Sequence, residues 1–141
     1  MSARSEHKAD VARAARWLHG RLEKLGFATE TIATPGHPVV LAEWRKAPKG
    51  APTVLVYGHY DVQPPEPLEL WTSPAFEPTV RDGNIYARGS VDDKGQVWVH
   101  VAAIEAHLAT RGALPVNVIL LIEGEEEVGS RQPRTVHRGA S

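Results

Sequence analysis

The sequence predicts an α/β fold: a mixed, mostly parallel central sheet flanked by helices. Three observations predict it. Two stretches carry apolar residues at helical spacing, and β-branched runs separate them. One of those runs, Thr53–Tyr57, is continuously apolar, as strands buried on both faces are, and a second, Val116–Ile122, is apolar but for Asn117. Each of the two leads into a loop bearing histidine or acids, and strand ends are where open α/β sheets build their sites.

The elements follow in order. Val11, Ala14, Ala15, Leu18, Leu22 and Leu25 recur every three or four residues and make one helix face, which Gly26 terminates. Thr29–Ala33 and Val39–Trp44 read as short strands around the Pro35-Gly36 turn, and Lys46–Ala51 as a loop. Thr53–Tyr57 is the first core strand. Gln63–Pro78 carries five prolines and must be a long extended loop, with Trp71 and Phe76 as its anchors. Thr79-Val80 and Ile85–Ala87 flank Asp82-Gly83, a hairpin signal that Asn84 lengthens. From Asp93 to Arg111 the period is helical again, with Val97, Val101, Ile104 and Leu108 on one face and Gly112 as the stop. Val116–Ile122 is the second core strand and is expected to be central. No internal repeat is present.

At 141 residues the chain has the length of one domain, and its composition is that of a globular protein. Net charge is −1, so nothing favours nucleic acid. Residues 131–141 hold Arg131, Arg134 and Arg138 and no acid. That leaves thirteen basic against seventeen acidic side chains before them, an excess that bound cations would offset. The absence of cysteine excludes disulfides, thiolate metal sites and a cysteine nucleophile. The first residues have no apolar segment of signal-peptide length, and no stretch approaches the roughly 18 apolar residues of a membrane span. A cytoplasmic location with no membrane partner is expected.

Three clusters carry chemistry: Gly58-His59-Tyr60-Asp61, Ser90–Gly95 with Asp92-Asp93, and Glu123–Gly129 with Glu125, Glu126 and Glu127. In extended chain, residues i and i+2 point the same way, so Asp61 is placed to hydrogen-bond one ring nitrogen of His59 while the other binds a metal. Alone, the pair is equally a surface histidine beside a turn aspartate. Asp92 and Asp93 precede a helix. Either could simply cap it, a part expected of Asp93, whereas Asp92 opposite His59 would suit a carboxylate shared by two metals. The three glutamates repel one another and alone would form a solvated loop. At the end of a central strand, nearby metals would relieve that repulsion, one glutamate ligating while a neighbour serves as general base. Together the clusters are the ligand set of a hydrolytic metal site, with two zinc ions. No phosphate-binding Gly-x-x-x-x-Gly-Lys-Ser/Thr loop, Gly-x-Ser-x-Gly elbow or His-Glu-x-x-His motif competes with it.

The segments VLVYGHYDVQP, WTSPAFEPTVRDGNIYARGSVDDKGQ and LPVNVILLIEGEEEVGS resemble the carnosinase-type di-zinc metallopeptidases. That family includes cytosolic dipeptidases, acetylornithine deacetylase, succinyl-diaminopimelate desuccinylase and glutamate carboxypeptidases. The resemblance runs from about Ala9 to Ser130, and Tyr-Gly-His-Tyr-Asp-Val-Gln-Pro is most similar to the dipeptidase branch. It implies that His59 binds one metal, Glu127 the second, and Asp92 both. It further implies that Asp61 orients His59 and that Glu126 is the general base. The cofactors would be two divalent ions, zinc or else manganese or cobalt, and the reaction hydrolysis of a peptide or amide bond in a small peptide.

The same resemblance implies what lies outside this sequence. Family members continue for a few hundred residues, with two further ligands and a lid domain used in substrate binding and homodimer assembly. Residues 1–130 would be the N-terminal portion of a zinc-peptidase-like catalytic domain, and 131–141 an unrelated, disordered tail. With three of five ligands, this chain would bind metal weakly. The alternatives are a non-catalytic fragment and an acyl-amino-acid deacylase of the same family.

Overall fold

The structure is a computed structural model and describes residues 7–130. Helix α1 (Lys8–Lys24) leads into strands β1 (Ala28–Ile32), β2 (Val39–Trp44) and β3 (Thr53–His59). The hairpin β4 (Thr79–Arg81) and β5 (Asn84–Tyr86) follows, then helix α2 (Lys94–Arg111) and strand β6 (Asn117–Glu123). The main sheet has the order β1-β2-β6-β3. It is mixed, as expected. Of its three pairings only β3–β6 is parallel, because β1 and β2 form an antiparallel pair whose second strand lies antiparallel to β6.

The register sorts side chains onto two faces. On one face Val40, Ala42 and Trp44 of β2 lie beside Ile122, Leu120 and Val118 of β6. Val54, Val56 and Gly58 of β3 continue the same rows. Val11, Ala15, Leu18 and Leu22 of α1, with Val97 and Val101 of α2, join this face in one core cluster. β6 is therefore central, as expected. β3 differs from expectation. It is the last strand in the order, and Leu55 and Tyr57 on its other face are 60% and 53% exposed. An unbroken apolar run shows that a strand meets apolar neighbours, but not on how many sides.

The termini of the helices follow their glycines. After α1, the Gly26 N–H donates to Glu23 O (2.9 Å) and the Phe27 N–H to Leu22 O (3.2 Å). Gly26 has φ +85° and Phe27 is buried, which together make a Schellman end with its apolar contact. α2 stops at Gly112, whose N–H donates to Leu108 O at 2.8 Å. In the hairpin, Asn84 pairs with Arg81, so the turn is Asp82-Gly83 alone and Asn84 does not lengthen it. Both turn residues have positive φ, the type I′ requirement that Asp-Gly meets.

The proline-rich loop is tied down on one side. The Trp71 indole N–H donates to Pro65 O (2.7 Å), and the Arg88 guanidinium donates to Pro64 O (3.3 Å) and lies 5.3 Å from the Trp71 ring centre. Phe76 is exposed, and the buried residue beside it is Ala75. The expectations for residues 131–141 lie outside the described residues. Among the described residues no helix is long and apolar enough to cross a membrane.

Leu120 is fully buried at the centre of the sheet. Leu120→Ala is expected to lower unfolding stability by about 2–5 kcal/mol. Val80→Ala, on the exposed hairpin, is expected to cost under about 0.5 kcal/mol. Urea unfolding followed by circular dichroism measures both.

Candidate metal centre

The parallel pairing of β3 with β6 brings two of the three clusters together. His59 is the register partner of Glu123, so the loop after β6 opens beside the histidine. The Tyr60 N–H donates to Glu123 O (2.8 Å) and carries the ladder one residue further. Asp92-Asp93 arrives from the third direction, at the start of α2. The 92–93 peptide is cis.

Around the His59 ring the acids are arranged by side. Nδ1 faces Asp61 Oδ1 at 3.2 Å, and both residues are buried. Nε2 faces Asp92 Oδ1 at 3.0 Å and Glu126 Oε2 at 3.7 Å, and both of those side chains are open to solvent. One ligand atom each from His59, Asp92 and Glu127 lie within 4.8 Å of one another. The floor of the site is thus closed and its mouth open. An imidazole nitrogen and two carboxylate oxygens at this spacing fit a divalent cation.

Asp61, Glu127 and Asp93 are each held by a neighbour. The Glu127 N–H donates to Asp61 Oδ2 (3.1 Å), so Asp61 supports both the histidine and the glutamate turn. Gln63 donates to Glu127 Oε2 at 2.6 Å. The Asp93 carboxylate does not cap α2; it accepts the His59 backbone N–H at 3.1 Å. Gly58 makes that possible, because a Cβ there would lie 2.6 Å from Asp93 Oδ2 and 2.7 Å from Val97 Cγ2.

Electrostatics follow from burial and crowding. Burial opposes charge on His59, yet Asp61, Asp93, Glu126 and Asp92 outweigh it and raise its pKa above the usual imidazole value of 6.5. Burial raises the Asp61 pKa, against the opposing pull of the Glu127 N–H and of His59. Burial lowers the pKa of the Lys94 amine, which Asp61 and Glu127 pull the other way.

All five residues singled out from the sequence, His59, Asp61, Asp92, Glu126 and Glu127, therefore meet at one place. Gln63, Asp93 and Gly58 were missed as supports. Gln63 carried a signal, since it lies four residues beyond His59 in an extended segment. Asp93 did not, because its partner is a backbone group 34 positions away.

Residues 55–140 match the family model described as peptidase family M20/M25/M40. The chain is 42% identical over 110 residues to succinyl-diaminopimelate desuccinylase of Bordetella pertussis, covering 78% of this chain and 28% of that protein. It is 41% identical over 119 residues to Beta-Ala-His dipeptidase of Rattus norvegicus, covering 82% and 24%. The crystal structure of human carnosine dipeptidase 1 superposes with a TM-score of 0.88 at 31% identity, over 96% of this chain and 31% of that one. The chain belongs to peptidase family M20/M25/M40 and spans between about a quarter and a third of the length of these relatives. The family is one of hydrolases.

Metal ligation requires a neutral imidazole, and the surrounding carboxylates hold the His59 proton more tightly than water does. Zinc affinity, measured by competition with a chromophoric chelator, is expected to fall as pH drops. The fall should begin above pH 6.5, earlier than for a free imidazole.

Proposed function

We propose that this chain is the N-terminal part of a catalytic domain that hydrolyses a peptide or amide bond in a small substrate, most simply a dipeptide. Two divalent metal ions, zinc in the first instance, would serve it. The observation that carries this is the convergence of His59, Asp92 and Glu127 donors within 4.8 Å, with Asp61 behind the ring.

His59 would hold one ion through Nε2, Glu127 the other, and Asp92 both. When bound, such ions polarise a scissile carbonyl and lower the pKa of water. The chain's own residues do the rest. Asp61, whose Oδ1 lies 3.2 Å from Nδ1, would accept from Nδ1–H once a metal holds Nε2 on the side of Asp92 and Glu126. Asp61 also holds the Glu127 backbone, so one buried carboxylate places two ligands. Glu126, half-exposed at the mouth, takes the proton of the attacking water and delivers it to the leaving amine. A cysteine-free protein of this kind fits a reducing cytoplasm.

A second substrate class is favoured by one observation. Identity to a desuccinylase, 42%, is as high as identity to a dipeptidase, 41%. Cleavage of an N-acyl amino acid is therefore the alternative, with the same residues in the same roles. Because the chain spans 28% of the first of these relatives, turnover belongs to the complete protein in either case.

In a complete protein carrying this segment, Glu126→Gln is expected to lower kcat about 10²- to 10⁴-fold while metal content is retained. Loss of metal together with activity would make Glu126 a ligand instead. Asp92→Ala is expected to reduce metal content at both positions, read by plasma mass spectrometry of the dialysed protein. One full equivalent retained would exclude the shared role. Parallel assays with dipeptides and N-succinyl amino acids separate the two substrate classes.

A further inference from the structure

Glu123 is not among the residues assigned above, yet it is one of the few acids fully buried in the fold, at 2% exposure. Its Oε1 accepts hydrogen bonds from the Tyr57 hydroxyl on β3 and from Ser130 Oγ (2.9 Å). Its Oε2 is buried with no hydrogen-bond partner. Its backbone O accepts from Tyr60, directly beyond His59. Desolvating a carboxylate and leaving one oxygen unpaired is costly, so a position that needed only packing would carry an apolar side chain.

The partners indicate what the carboxylate does. Ser130 ends the loop that carries Glu126 and Glu127. The Ser130 N–H turns back to Glu125 O (2.9 Å), the Gly129 N–H to Glu126 O (3.0 Å), and the Val128 N–H to Glu125 O (3.2 Å). Residues 126–128 form a 3-10 turn that ends on Gly129 in the left-handed region, φ +99°. A free turn of this size is marginal, and the described fold holds its far end to the sheet through Ser130. Tyr57 lies two residues before His59 on the same face of β3, so the other bond on Oε1 comes from the strand that carries the histidine. Burial and the Glu123 carboxylate push the Tyr57 hydroxyl up to about 12, which keeps it a proton donor throughout the working range.

We propose that Glu123 is a positioning residue that sets the spacing between His59 and the Glu126–Glu127 turn by holding Tyr57 and Ser130 on one carboxylate oxygen. The inference rests on the metal-binding function proposed above. Asp61 fixes the near side of the glutamate turn through the Glu127 N–H, and Glu123 fixes its far side. Without Glu123 the ligand set keeps its members and loses its separation.

Three variants of the 141-residue chain test this: Glu123→Gln, Ser130→Ala and Tyr57→Phe. Each is read by zinc titration calorimetry, by amide hydrogen exchange of 124–130 without metal, and by urea unfolding. Glu123→Gln and Ser130→Ala are expected to weaken zinc binding about tenfold, the low end for residues supporting a ligand. They should speed exchange across 124–130 while amides of α1 and β2 stay protected. Tyr57→Phe is expected to lower the urea midpoint at least as much as Ser130→Ala, yet weaken zinc binding less than it does. Parent-like zinc affinity and exchange in Glu123→Gln and Ser130→Ala would overturn the positioning role. So would zinc losses that simply track the urea midpoint across all three variants. If the parent chain binds no zinc while exchange of 124–130 still rises in the two variants, metal binding by this chain alone fails and the Glu123 clamp stands.

Discussion

The parallel pairing of β3 with β6 is the constraint on which the rest depends. Parallel register places the C-terminal ends of both strands at the same edge of the sheet, so His59 and Glu123 emerge side by side. An antiparallel pairing would send the histidine and the acidic loop to opposite ends. The pairing is long for this fold, with seven residues of each strand in register. It is backed by the core cluster on one face, where Leu120 and Ile122 are fully buried. The chemistry at the sheet edge is therefore anchored in the best-packed part of the molecule.

Gathering acids around one imidazole creates a charge problem, and the surrounding backbone answers much of it. Asp61 and Asp93 each accept a backbone N–H, from Glu127 and His59 respectively, while Gln63 donates to Glu127. Charge-assisted bonds of this kind hold carboxylates in place without neutralising them. Asp92 and Glu126, which face the open mouth, stay solvated instead. The residual negative potential at Nε2 is the property that would attract a cation, and it is also what raises the histidine's affinity for a proton.

Support for the site extends into segments without regular structure. Gln63 begins the proline-rich loop, and that loop is fastened by Trp71 and Arg88 to its own carbonyls. The Arg88 N–H also donates to Ala75 O at 2.7 Å, joining the end of the hairpin to the same loop. Asp92 follows four residues later. The hairpin β4–β5, whose outer residues Val80 and Ile85 are exposed, thus serves to bring the second cluster back toward the first.

The sequence by itself determined the elements and where the helices stop. Helical periodicity located α1 and α2, and the glycines at 26 and 112 stopped them, because these signals are local and depend on backbone sterics alone. It also marked His59, Asp61, Asp92 and the glutamates 125–127, since acids and histidine at strand ends are visible without knowing the partners, and the family resemblance singled out Glu126 and Glu127 among them. Only the tertiary structure put the other apolar strand at an edge of the sheet. Thr53–Tyr57 and Val116–Ile122 look alike as runs, yet β6 has neighbours on both sides and β3 on one. Tertiary structure also turned Asp93 from the expected cap into the acceptor of the His59 N–H, and it drew Gln63 and Glu123 to the glutamate turn. Those choices rest on contacts between residues far apart in the chain. No local pattern encodes them, because hydrogen-bond partners depend on sheet register, which every strand must satisfy together.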